Sequence, residues 1–374
     1  GYDAEWDSAD QIPRRSVESG LISELGSIDD DVGGESSRYS FSTDFRKDSG
    51  SGITTASAYA IYYDLNLWSN FTYFLEDDVD GDEFEQAEQR MTYGVNLAHS
   101  IADTQMFERQ ARHTFGLQFR YDDINDVGLY QTAGRERLAT IREDDVDELS
   151  LGLFYENRIE WTDRLTSIAG LRGDYYYFDV ASDLAANSGT EDDFILSPKL
   201  SLTYYVNRMV ELYASAGLGF HSNDARGTAI TIDPSDFSPA EKVDPLVQSK
   251  GAETGFRVSW KDKLNSSVTV WWLELDSELL YVGDAGATEA SIGSERYGIE
   301  FSNYYRPVDW LTFDLDFSIT HAEFENGDEI PGSLNTVMNG GVTYQNDSGF
   351  FTTLRARYFG PRPLTEDGSE ESDS

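Results

Sequence analysis

The stretch EDDVDGDEFEQ, Glu76 to Gln86, holds a dense run of carboxylates, the ligand type that hard divalent cations take. Setting Gly81 at the sixth position of a twelve-residue calcium loop brings Glu76, Asp78 and Asp80 to the early ligand positions. The twelfth position then falls on Ala87, where a chelating Glu is required, so that motif fails. A looser calcium site on Asp78, Asp80 and Asp82 remains, against the plainer reading of a solvated acidic loop. A second stretch, GFHSNDARG, collects His221, Ser222, Asn223, Asp224 and Arg226. These are nucleophile, base and carboxylate types, but a triad is assembled by folding, and no G-x-S-x-G turn occurs. No catalysis is expected. Asp224 and Arg226 are instead candidates for pairing with another segment, or for capping the base of a loop. The other histidines, His99, His113 and His321, are scattered, and cysteine is absent. That leaves no imidazole or thiolate metal set, and no cofactor is expected.

The elements that carry these residues are strands. In DWLTFDLDFSITH, Leu311, Phe313, Leu315, Phe317 and Ile319 alternate with Thr312, Asp314, Asp316, Ser318 and Thr320. Successive strand side chains point to opposite faces, so one face is oily and the other acidic. LSLGLFYENRIEW, GAETGFRVSW and YGIEFS repeat the pattern, while helical periodicity is hard to find anywhere. The chain therefore reads as all-β, with about fourteen strands. Aromatics at 13% are too many for a disordered chain despite a net charge of −41. That charge excludes nucleic acid as a partner, because phosphate binding needs a basic face. No run of apolar residues is long enough for a membrane helix, which leaves a membrane-spanning barrel open, since its strands alternate.

The connections fall into two kinds that alternate along the chain. Short ones lie near Lys47, Ala102, Thr162, Asn207, Lys261, Arg306 and Gln345. Long polar ones include LEDDVDGDEFEQ, DDINDVGLYQTAGRERLATIREDD, ASDLAANSGTEDD and HSNDARGTAITIDPSDFSPAEKVDP. A transmembrane barrel segregates short and long connections to opposite ends. Trp161, Tyr204, Tyr205, Trp260, Tyr304, Tyr305, Trp310, Tyr344, Phe350 and Phe351 gather beside the short turns, where an interfacial girdle sits. Glu156, Arg158, Glu160, Arg172, Asp174, Glu253, Arg257, Glu300, Asp314 and Asp316 all fall opposite the oily rows. An Arg or Lys facing lipid at mid-bilayer costs about 2–4 kcal/mol, so these charges are expected to face a wide, wet interior. Of the external aromatics, Phe71, Tyr73, Phe74 and Tyr130 are candidate ligand contacts.

Six stretches, among them GYDAEWDSADQIPRRSVESGLISELG, LYASAGLGFHSNDARGT, SKGAETGFRVSW, LELDSELLYVGDAG and RYGIEFSNYYRPVDWLTFDLDFSITHAEF, carry a resemblance. In order and spacing they resemble the barrel domain of TonB-dependent outer-membrane receptors. The resemblance implies a barrel of about 22 strands and an N-terminal plug inside it. It also implies a segment engaging TonB, and a location in the outer membrane of a Gram-negative bacterium. Neither plug nor coupling segment is recognisable in the chain. Residues 1–360 are then expected to be part of one barrel, with roughly five strands missing before and three after. Residues 1–36 are expected as external loop, and 361–374 as an acidic loop remnant or disordered tail. Glu156, Arg158, Arg172, Asp174, Asp224, Arg226, Glu253, Arg257, Glu300, Asp314 and Asp316 become candidates for facing ligand or plug. The implied function is energised uptake of a scarce ligand, such as an iron–siderophore complex, cobalamin or a carbohydrate. The expected partners are lipid, plug, TonB and a small molecule or metal chelate, with the barrel acting as a monomer. A passive porin or a surface adhesin is the alternative.

Overall fold

The computed structural model describes every residue except 9–11, 51, 235, 283–286, 291 and 374. Residues 9–11 and the last four of LELDSELLYVGDAG, quoted above, thus lie outside the described residues. Strands β1 Tyr2–Asp7, β2 Gly33–Ser49, β3 Gly52–Ser69, β4 Phe84–Met106, β5 Arg109–Ala133 and β6 Glu136–Glu160 come first. They are followed by β7 Leu165–Ser182, β8 Gly189–Tyr205, β9 Val210–Ser222, β10 Leu246–Trp260 and β11 Leu264–Leu275. The last are β12 Leu279–Val282, β13 Ala287–Ala290, β14 Ser294–Val308, β15 Leu311–Phe324, β16 Thr336–Gln345 and β17 Phe351–Phe359. Two short helices, α1 Arg14–Glu18 and α2 Ala225–Ala229, sit in long connections. Fifteen strands form one antiparallel sheet in the order β1 to β11, then β14 to β17, while β12 and β13 pair with each other.

Register shows why the alternation matters. Phe45 lies across from Ala56, Ala56 from Leu97, Leu97 from Leu117, Leu117 from Leu153, Leu153 from Gly173, and Gly173 from Leu196. Directly paired residues share a face, so this is one continuous oily row across seven strands. Among the described residues no second sheet covers it. Leu153 is 55% exposed, Leu196 49% and Phe45 57%. A sandwich would bury such a row, so what lies against it is lipid. On the other face Thr114 lies across from Glu156, Glu156 from Gly170, Gly170 from Lys199, and Lys199 from Gly217.

The structure corrects three expectations. The main sheet has fifteen strands rather than about fourteen, the added one being β1. Tyr2–Asp7, expected as external loop, pairs with Arg38–Gly33 at the top of β2. Six residues give too short an alternation to read, and the strand depends on a distant glycine. A Cβ on Gly34 would lie 2.3 Å from the Trp6 ring, so only glycine lets the strands close up there. Lastly, residues 122–145 are not a loose connection. β5 and β6 are 25 residues each and run on as a bulged hairpin to a turn at Gly134 and Arg135, both at positive φ. At about 3.3 Å per residue such strands reach roughly 80 Å, far beyond an apolar band of about 25 Å. The girdle is also split by register. Tyr205 and Tyr304 take the inner face opposite Glu211 and Asp314, whereas Tyr204, Trp260 and Tyr305 face out opposite Leu212, Leu264 and Phe313. The acidic end of the chain turns back on the connection before β16, with Glu329 N–H donating to Glu366 O and Gly332 N–H to Pro363 O.

Replacing outward-facing Leu153 by Arg should cost about 2–4 kcal/mol of folding stability in lipid vesicles, and Ser150→Arg on the inner face much less. Denaturant titration in vesicles measures both, and equal costs would refute the assignment of the faces.

Candidate functional site

The inner face carries ionisable side chains at period two, and the register shows where each sequence candidate stands. Glu156 receives Lys199, Nζ to Oε2 2.7 Å. Arg158 lies 3.9 Å from Glu160. Arg172 grips Asp174 through Nε and Nη2 and donates from Nη1 to Gln118 at 2.5 Å. Arg257 reaches Glu211 at 2.7 Å and lies over the Tyr213 ring at 4.3 Å. Asp314 takes Arg355 at 2.6 Å, and Asp316 accepts from Ser302 at 2.6 Å. Glu253 and Glu300 stand exposed on the same face, opposite Trp271 and Thr269 respectively. The arrangement is a wall of opposite charges rather than a catalytic constellation.

A denser network was missed by the sequence reading. Arg120 grips Asp122, which also accepts from Thr92 Oγ1 at 2.8 Å, and Arg142 grips Asp144. Asp122, Asp144 and Asp174 are only 1–2% exposed. The signal for it is R-x-D, present at Arg120/Asp122, Arg142/Asp144 and Arg172/Asp174. In a strand that spacing puts both charges on one face, side by side, where a forked guanidinium can bind a carboxylate at two points.

Asp224 and Arg226 come together here, but with each other. Asp224 caps α2 by accepting from the Arg226 N–H, and its other oxygen takes Arg226 Nη2 at 2.6 Å. Burial alone would raise the Asp224 carboxyl; the Arg226 charge and its hydrogen bonds outweigh this and hold it at about 2. The helix presents Ala225 and Ala229 to Ile124, Val146, Phe178 and Val180. Val146 and Phe178 share the face of Gly152 and Asp174, so α2 packs inside.

The acidic loop 70–83 is organised by its own backbone. Asp82 accepts N–H groups from Leu75, Glu76 and Asp77, and these bonds outweigh the effect of burial to lower its pKa. Asp77 accepts from Asp80 and Val79, which lowers its pKa likewise. Asp78 and Asp80 are exposed. The described carboxylates that do converge are Asp29, Asp31 and Glu83. Asp29 accepts from Asn70 Nδ2, and Glu83 from the Arg135 N–H, so this cluster is occupied by internal donors. Tyr130, expected as a ligand contact, is 2% exposed, with its hydroxyl on Glu143 and Arg137 stacked 3.6 Å from its ring centre. Phe74 is exposed, and Phe71 leans edge-on against Phe84.

A family model described as TonB dependent receptor-like, beta-barrel, matches residues 2–373. The chain belongs to this family. Its place is accordingly the outer membrane of a Gram-negative bacterium. In fold it is similar to the ferric citrate transporter FecA in its unliganded form, with TM-score 0.79 and 13% identity over 98% of this chain and 55% of that one. It is similar to the ferric yersiniabactin uptake receptor FyuA of Yersinia pestis, with TM-score 0.68 and 13% identity over 91% of this chain and 52% of that one. The copper transporter OprC aligns at TM-score 0.70 and 14% identity, over 91% of this chain and 55% of that one. The chain thus spans about half the length of these solved receptors. No curated protein matches the sequence.

Three outcomes are expected. Asp174→Asn in this TonB-dependent receptor barrel leaves the Arg172 charge without its partner and should cost about 3–5 kcal/mol on denaturant unfolding. Asp48→Asn, in the exposed Arg46 pair, should cost under about 1 kcal/mol. For Asp224, whose pKa is depressed on folding, the stabilisation is full above its ordinary pKa of about 3.9 and is lost as pH falls toward about 2. The stability difference between the wild type and Asp224→Asn should therefore be flat above about pH 5 and shrink below about pH 4. A flat difference down to pH 2 would show that the pair is not formed.

Proposed function

We propose that this chain is the barrel wall of a receptor that takes a scarce ligand across the outer membrane by TonB-coupled, energised transport. The observation that carries the reading is the family match over residues 2–373, joined to an inner face whose buried charges are paired across a wide polar wall. Solved structures of similar fold include a ferric yersiniabactin uptake receptor, a ferric citrate transporter and a copper transporter, which favours a metal or metal chelate as the cargo. In this reading the long connections capture the ligand. Exposed Glu253, Glu300 and the paired charges around them face a plug, which gates passage and connects to TonB; the barrel works as a monomer. Binding and conformational change carry the function, with no covalent chemistry.

Whole cells test the reading. Cells producing the protein from its own gene should accumulate a radiolabelled ferric chelate supplied at nanomolar level. Collapse of the proton gradient should abolish that accumulation. Uptake that persists without the gradient would indicate a passive pore.

A further inference from the structure

Three short connections meet at one end of the wall: 261–263 between β10 and β11, 309–310 between β14 and β15, and 346–350 between β16 and β17. Together they frame a cleft of about 580 Å³, whose lining includes Lys263, Val308, Asp309, Trp310, Tyr344 and Asp347. Val308 lies across from Leu311, and Leu311 from Tyr344, so the cleft borders the oily outer face. The Trp310 and Tyr344 rings lean together at 5.7 Å, and Phe350 stands 6.3 Å beyond Tyr344. Trp and Tyr, apolar in body and polar at one edge, settle at the level of lipid headgroups. The short connections of a barrel face the periplasm, so these headgroups belong to the periplasmic leaflet.

The charges of the cleft are not closed on one another as those of the inner wall are. Lys263 Nζ donates to Pro307 O at 3.2 Å, and among the described residues the ammonium takes no other partner. An ammonium carries three donors, so two are left. Asp309 and Asp347 line the same cleft and are exposed, yet neither closes on Lys263. Arg306 beside them donates from Nη2 to Asp309 O at 2.7 Å and lies 3.9 Å from the Asp309 carboxylate. Two positive and two negative side chains thus stand around one opening. A compact group carrying both signs fits between them, its phosphate against Lys263 and its primary ammonium against Asp309 and Asp347. We propose that this cleft binds the headgroup of an ethanolamine phospholipid of the periplasmic leaflet, with the glycerol end over Trp310 and Tyr344 and the acyl chains along the oily face. An anionic phospholipid would bring its phosphate to the two carboxylates with no ammonium to offset them. A choline headgroup has no N–H to donate to them. The site depends on which face meets lipid and which end meets the periplasm, and not on the cargo.

The protein, produced from its own gene, is extracted in mild detergent and stripped of lipid. It is then given detergent-solubilised phosphatidylethanolamine, phosphatidylglycerol or phosphatidylcholine, and native mass spectrometry counts the lipid retained. Phosphatidylethanolamine should be retained at least fivefold over either of the others. Lys263→Gln should remove that excess. Lys47→Gln, at a different short connection and on the same face as Phe45, should leave it unchanged. Asp309→Asn with Asp347→Asn should bring phosphatidylethanolamine down to the level of phosphatidylglycerol. Millimolar inorganic phosphate should not displace the lipid; displacement would mean a plain anion site and overturn the proposal. Equal retention of the three lipids, or equal loss in Lys263→Gln and Lys47→Gln, would overturn it as well.

Discussion

Hydrocarbon offers no partner for a backbone N–H or C=O, and most of this molecule follows from that. Inside a bilayer every backbone polar group must be bonded within the protein, and an antiparallel sheet does this strand by strand. The oily row through Phe45, Leu97, Leu117, Leu153 and Leu196 can face lipid only because the ladders beneath it are continuous. The same constraint marks the two rims of the sheet. Among the described residues β17 is bonded only to β16, and β1 covers β2 no lower than Arg38. In lipid those rims call for strand partners.

An outward face given over to lipid forces the charges inward, and the inner wall handles them locally. Most carboxylates named there are met by an arginine or lysine from the same strand two residues away, from the neighbouring strand, or from the next strand but one across a glycine. Arg172 with Asp174 is the first kind, Arg257 with Glu211 the second, and Lys199 with Glu156 across Gly170 the third. Such pairing keeps charges in place without filling the interior, and an Arg fork bound at two points holds a carboxylate more firmly than a single contact. A wall built this way is polar yet has few free charges where Asp122, Asp144 and Asp174 are buried.

Where continuous ladders give out, the wall acquires shape. The β8–β9 seam opens in the chain's outer half, and the β9 tip fills part of the interior with α2 instead of continuing the barrel surface. The long β5–β6 hairpin supplies part of the seat for α2, through Ile124 and Val146. The bulges of that hairpin let its upper part turn while the lower part keeps lipid register.

Much of this was readable from residue order. Period-two alternation is a local property, so it announces strands, their faces and the alternation of short and long connections without any knowledge of neighbours. The inward placement of Glu156, Arg172, Glu253, Asp314 and their like follows from it, and R-x-D could have revealed the buried pairs. Contacts between distant segments could not be read in that way. β1 exists because Trp6 fits over Gly34; Tyr130 is sealed because Arg137 and Glu143 close on it; Asp224 and Arg226 bind each other because α2 has a seat on β6 and β7. Sequence by itself determined which side of each strand meets lipid, since that depends on residues two apart. Only the tertiary structure decided which charge meets which and where the sheet parts, since those depend on the register between strands far apart in the chain.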